Sequence, residues 1–155
     1  MRVIGLWLTG AFAGSLLFWV IQVGAGSGTI TAYLGQEIVA AGGYPPPAAP
    51  FIGWAVHLGV SLAYAGLVAV LLWLLRSAPG PARLTVGLAA SVILGWITAL
   101  LAPPAISITV SLLGRQGWPV DLFPLNTEFG LPLWNHLAFF LLNWLVQTVG
   151  APSRS

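Results

Sequence analysis

The chain has 155 residues, of which 58% are hydrophobic and 5% charged, with a formal net charge of +2. Soluble globular chains carry roughly 25% charged residues, and a chain this poor in charge would leave a large apolar surface in water, so its composition fits a lipid bilayer as solvent. Without cysteine there is no disulfide, thiolate metal site or thiol redox chemistry, and the 5 basic residues, all arginine, form no patch that would engage nucleic acid.

A hydrocarbon core takes about 20 largely apolar residues per helix, and four stretches qualify. The first runs from Val3 to Gly24 and stops at Gly24-Ala25-Gly26-Ser27-Gly28. Its apolar part is longer than that of a secretory signal, so it is expected to remain as a span. It carries a small-residue seam, Gly10 to Gly14, and Ser15 and Gln22 share one face. Thr29 to Ala41 follows as a short amphipathic helix with Ile30, Leu34 and Ile38 at i, i+4 and i+8, expected as an outer cap or a re-entrant segment.

The second span, Phe51 to Leu75, lies between Pro45-Pro46-Pro47 and Arg76 with Pro79-Gly80-Pro81. Trp54, His57, Ser61 and Tyr64 fall on one of its faces. The third, Leu84 to Ala102, is expected to end at Pro103-Pro104 and shows a small-residue seam of Gly87, Ser91, Gly95 and Thr98. Ile106 to Leu113 reads as a second surface helix. The fourth span, Leu133 to Val149, starts after Pro132; His136, Asn143 and Gln147 share a face with Phe140 between them, while Phe139, Leu142 and Leu145 suit lipid or a neighbouring subunit. The expected fold is one all-α integral membrane domain of four transmembrane helices in an up-down bundle.

Orientation follows from the arginines. Arg2, Arg76, Arg83 and Arg154 sit at the two ends and the short second connection, whereas the long first and third connections hold Glu37, Asp121, Glu128 and only Arg115. The positive-inside rule then places both termini in the cytoplasm. Trp7, Trp73, Trp118 and Trp134 near span ends suit the interfacial belt.

The first and third spans align through Leu8-Thr9 and Leu84-Thr85, with Ser15 against Ser91, and the second and fourth through Trp54-Ala55-Val56-His57-Leu58 and Leu133-Trp134-Asn135-His136-Leu137. Two repeated helical hairpins are one reading and chance similarity between leucine-rich helices the other. Either way both histidines enter from the same side at similar depth.

Polar groups in lipid turn inward, because exposure to hydrocarbon costs several kcal/mol each. Gln22, Ser61, Tyr64, Asn143 and Gln147 are therefore interior residues. Read structurally, these stripes hydrogen-bond helix to helix, worth about 0.6 to 2 kcal/mol per contact. Read chemically, His57 and His136 ligate something between them: a haem b as paired axial ligands, or a chlorin or quinone held by one imidazole. Two histidines make a poor zinc site. No intramembrane carboxylate supports ion coupling, His57 and Ser61 lack an acidic partner for nucleophilic catalysis, and Asp121, Glu128 and Arg115 read as loop charges and an interface anchor.

The motif Gly53-Trp54-x-x-His57-Leu58 at the start of the second span, with His136-Leu137 at the start of the fourth, resembles a family of small four-helix bacterial inner-membrane proteins of unknown function. The resemblance covers roughly residues 5–149. It departs at Ala138 to Trp144, which is bulky where glycine is expected. It implies the four-helix hairpin architecture and a bacterial inner membrane, and no chemistry. With no catalytic constellation, and with long proline- and glycine-rich connections that need support, the leading expectation is a non-catalytic accessory subunit among other membrane-protein subunits, of the kind found in electron-transfer complexes. A bis-histidine haem protein and a small-molecule or lipid carrier are the alternatives.

Overall fold

A computed structural model describes residues 2–150. Five helices follow one another: α1 (Arg2–Gly24), α2 (Ile30–Gly42), α3 (Ala49–Leu74), α4 (Gly80–Leu113) and α5 (Leu131–Val149), with short 3-10 turns at Pro46–Ala48 and Leu75–Ser77 and no strand among the described residues. Arg154, counted in the charge argument, lies outside the described residues. Segments Val3–Gly24, Pro46–Ser77 and Gly80–Leu113 are long and apolar enough to cross a membrane. The 19-residue α5 falls short of them in hydropathy because it carries Asn135, His136, Asn143 and Gln147, all buried in the bundle.

α1, α3, α4 and α5 run alternately up and down. One end of the bundle, here the loop end, carries α2 and residues 114–130; the other, the turn end, carries residues 75–79. α5 packs against both α1 and α4, and α3 packs against α1, but α3 and α4 scarcely meet. The ring of four is open on that side. Phe18, Val68, Leu72, Phe139 and Phe140 form the core. Phe139, expected to face lipid or a neighbouring subunit, is 3% exposed inside the bundle, because glycine at position 14 of α1 leaves room for its ring.

Small residues set how closely the helices approach. The Gly87 to Thr98 seam of α4 is buried, and a Cβ on Gly95 would lie 3.1 Å from the Leu137 backbone of α5. A Cβ on Gly14 would meet the Phe139 ring at 2.6 Å. α2 begins at Thr29, whose hydroxyl accepts from the Ala32 N–H at 3.3 Å, and ends at Gly43 in the left-handed region (φ 64°). It lies along the start of α3, Gly35 against the Ala49 carbonyl and Gly53 against the Thr31 carbonyl.

Helix α4, where the third span was expected, corrects its predicted boundary. Pro103 and Pro104 lie inside α4, which continues to Leu113, so Ile106 to Leu113 is its last part and not a separate surface helix. At 1.5 Å per residue α4 is about 50 Å long, beyond the roughly 30 Å of a hydrocarbon core. A proline pair removes two helical N–H donors and frees the carbonyls of residues four back. The N–H of Asn126 takes one of them, donating to the Leu100 carbonyl at 3.0 Å. Residues 114–130 thus fold back along α4, held also by Ser111 Oγ donating to the Gly117 carbonyl (2.8 Å) and by Gln116 Nε2 donating to the Ala41 carbonyl of α2 (2.7 Å). Arg115 lies over the Tyr44 ring, 4.6 Å from its centre, and its Nε donates to the Tyr44 hydroxyl.

Candidate functional site

The open side of the ring leads to a cavity of about 800 Å³ in the half of the bundle nearest the loop end. Polar groups reach it from α1, α3 and α5. His57, Ser61 and Tyr64 come from successive turns of α3, His136 from the second turn of α5 and Gln22 from the last turn of α1. Residues 123–128 close it over the loop end, held there by the Asn126 bond to the proline-broken stretch of α4.

Phe18 of α1 organises the two histidines. Its ring is edge-on to both, with centres 5.4 Å from His57 and 5.3 Å from His136, so the imidazoles sit at one level of the bundle. The Nδ1–H of His136 donates to the Pro132 carbonyl one turn back at 2.7 Å, which leaves the Nε2 lone pair uncommitted. Nε2 of His57 lies 3.5 Å from the Ser15 carbonyl, a long hydrogen bond in which the ring donates, leaving Nδ1 as acceptor. The two rings therefore present unlike nitrogens, Nε2 on one and Nδ1 on the other, with a phenyl ring against both. His136, with its second nitrogen on a backbone carbonyl, has the arrangement usual for a single ligating or hydrogen-bonding histidine.

Around them, Ser61 Oγ and Tyr64 Oη bond no described residue, and Gln22 accepts the Ile30 N–H through Oε1 at 3.0 Å, leaving its amide N–H groups uncommitted. The walls between these groups are Phe18, Leu34, Val60, Ile106 and Phe139. A volume of this size, mainly apolar with a few convergent polar groups, has the character of a small-molecule site.

Comparison with known proteins brings no match: no family model, no curated protein and no solved structure aligns with the chain.

Of the interior polar residues expected from sequence, His57, His136, Gln22, Ser61 and Tyr64 converge on the cavity. Asn143 and Gln147 do not. They lie toward the turn end, where Asn143 Nδ2 donates to the Phe139 carbonyl (3.0 Å) and Gln147 Nε2 donates to the Ala65 carbonyl of α3 (3.0 Å), joining α5 to α3. Trp54, on the same α3 face by spacing, packs on Trp19 and edge-on to His57 without lining the cavity. Phe18, which also lines the cavity, is not singled out by the polar pattern alone. It lies between Ser15 and Gln22 on the polar face of α1, so its spacing is the signal that points to it. Asn135, beside His136 in the chain, is fully buried with neither side-chain atom bonded to a described residue and does not line the cavity.

Proposed function

We propose that this protein binds a small amphipathic molecule inside a four-span bundle, as a carrier or a holding subunit. The observation that carries the reading is the cavity of about 800 Å³ into which five polar side chains from three helices turn. Ser61 and Tyr64 bond no described residue, and His57, His136 and Gln22 each spend one polar atom on a backbone group and keep another toward the cavity, whereas Asn143 and Gln147 are tied into the helix packing. The same cavity fits an accessory subunit that holds a ligand for a larger assembly. The unlike histidine nitrogens favour single hydrogen bonds over bis-histidine haem ligation.

The test is extraction in a mild detergent followed by native mass spectrometry. The expected spectrum carries one adduct of small-molecule mass, lost when Ser61 and Val60 are replaced by tryptophan. A spectrum of bare chain, unchanged by added membrane lipid extract, would sink the proposal.

In this reading α5 is the fourth span, its polar face turned inward and its Leu141 and Leu145 outward. Arginine asymmetry then puts both termini in the cytoplasm of a bacterial inner membrane. A phosphatase reporter, active only outside the cytoplasm, is expected to be silent after Ser155 and active when inserted after Gly117. Activity after Ser155 would reverse the orientation.

A further inference from the structure

We infer that the molecule held in this cavity is a neutral tailed ring bearing oxygen substituents, a quinone or its quinol, and that it enters from the bilayer between α3 and α4. The inference rests on the binding reading above and narrows it to a ligand class and a route.

Charge comes first. Among the described residues lining the cavity the only charged side chain is Glu128, exposed in the loop-end segment. No described arginine lines it; Arg115 lies over Tyr44 instead. A phosphate or carboxylate head would enter a low-dielectric space without a cation, at a cost of several kcal/mol. A cationic head would find only one carboxylate, on an exposed residue that water already solvates. The head is therefore neutral.

The polar groups then specify both kinds of hydrogen bond. His136 Nε2 and His57 Nδ1 accept, while Ser61, Tyr64 and the Gln22 amide donate. A lone carbonyl would leave the acceptors unused, and a simple alcohol would use few of the donors. A ring with oxygens on opposite edges addresses both sets in its quinol form, whose O–H groups donate to imidazole and whose oxygens accept from the hydroxyls, and its quinone form keeps the second set of bonds. Phe18, Tyr64 and Phe139 line the same space, with Tyr64 and Phe139 edge to face at 6.2 Å, and their faces and edges suit a planar ring.

The route follows from the open side. α3 and α4 scarcely meet, and Val60 of α3 (40% exposed) and Ala105 of α4, also exposed, both line the cavity there. In a four-span bundle that flank faces lipid, so an apolar tail can stay in the bilayer while the ring turns inward.

The experiment uses the full chain in phosphatidylcholine nanodiscs, with a photoreactive benzoquinone analogue as the label. A decyl-tailed benzoquinone and its quinol compete for labelling, and decanol serves as the neutral control. Both ring forms are expected to displace the label at least tenfold better than decanol, with labelled peptides from α3 and α5. His136→Phe, which keeps a ring and removes the acceptor, is expected to weaken the quinol about tenfold, the loss of one buried hydrogen bond, and the quinone less. Ser61→Ala, whose hydroxyl bonds no described residue, gives a second reading if His136→Phe folds poorly. Val60→Trp is expected to slow binding of both forms severalfold. Decanol competing as well as the rings would overturn the quinone assignment and leave the binding site standing. Equal weakening of quinol and quinone by His136→Phe would likewise overturn it. Labelling that nothing displaces would overturn both the assignment and the binding reading.

Discussion

Alanine at Gly53 is expected to cost about 3 kcal/mol of stability and to loosen α2 from the rest of the bundle. The added methyl would fall on the Thr31 carbonyl of α2, with the Gly35 N–H also close, at 3.1 Å. These neighbours are backbone, so no rotamer change relieves the contact. Gly35 is in the reciprocal position, its Cβ falling on the Ala49 carbonyl of α3. Such mutual glycine contacts let two helix backbones close to van der Waals distance, the main source of helix association in lipid. Gly59, on the same helix, serves as control: a methyl added there would have nothing within 4 Å, and alanine is expected to be neutral or to stabilise by up to about 1 kcal/mol. Reversible unfolding in mixed micelles measures both, and equal midpoints for Gly53→Ala and Gly59→Ala would refute the close-packed hairpin. Gly35→Ala combined with Gly53→Ala is expected to cost less than the sum of the two, since the first substitution already separates the helices.

Valine at Gly14 is expected to have a comparable effect through different neighbours. Its Cβ would meet the Phe139 ring at 2.6 Å and Asn143 Nδ2 at 2.8 Å, and both side chains are buried. Asn143 is tied to the Phe139 carbonyl and lies 3.5 Å from Gln147 Nε2, which reaches the Ala65 carbonyl of α3. Moving Asn143 therefore unpairs groups far from water, adding roughly 1–3 kcal/mol to the steric cost. Phe139 also lines the cavity, so the variant is expected to lose its bound molecule as well as stability, whereas Gly53→Ala, acting through α2, loses stability first. Wild-type ligand retention by a destabilised Gly14→Val would separate the α1–α5 seam from the cavity wall.

The helices of this fold were legible wherever a periodic apolar run met a breaker. α1 and α2 lie within a residue of their expected bounds and α3 and α5 within two, because the glycine and proline runs at their ends have no partner that would let a helix continue. The proline pair of α4 misled for the opposite reason. Its freed carbonyl is answered by Asn126, on a later segment that no local pattern connects to Leu100. The candidate site was legible in its polar members and not in its shape. The spacing of His57, Ser61 and Tyr64 on one face is visible in the chain, but the gap between α3 and α4 is a property of packing. Phe139 shows the limit most plainly. A phenylalanine in a leucine-rich run reads as lipid-facing until a glycine on another helix is known to lie beneath it.

The inward polar face of α5 bears on how the chain is assembled. In the four-span reading, α1, α3 and α4 are each apolar enough to leave the insertion machinery for lipid unaided. α5 is not; Asn135, His136, Asn143 and Gln147 make its partition unfavourable until a surface exists to receive them. That surface is made by α1, α3 and α4, all synthesised before it, with Gln147 bonding the Ala65 carbonyl of α3. The last helix is thereby a proofreading step: it settles only against correctly placed earlier ones, and a nascent chain whose first span is misplaced keeps a polar helix outside, where cellular proteases can reach it.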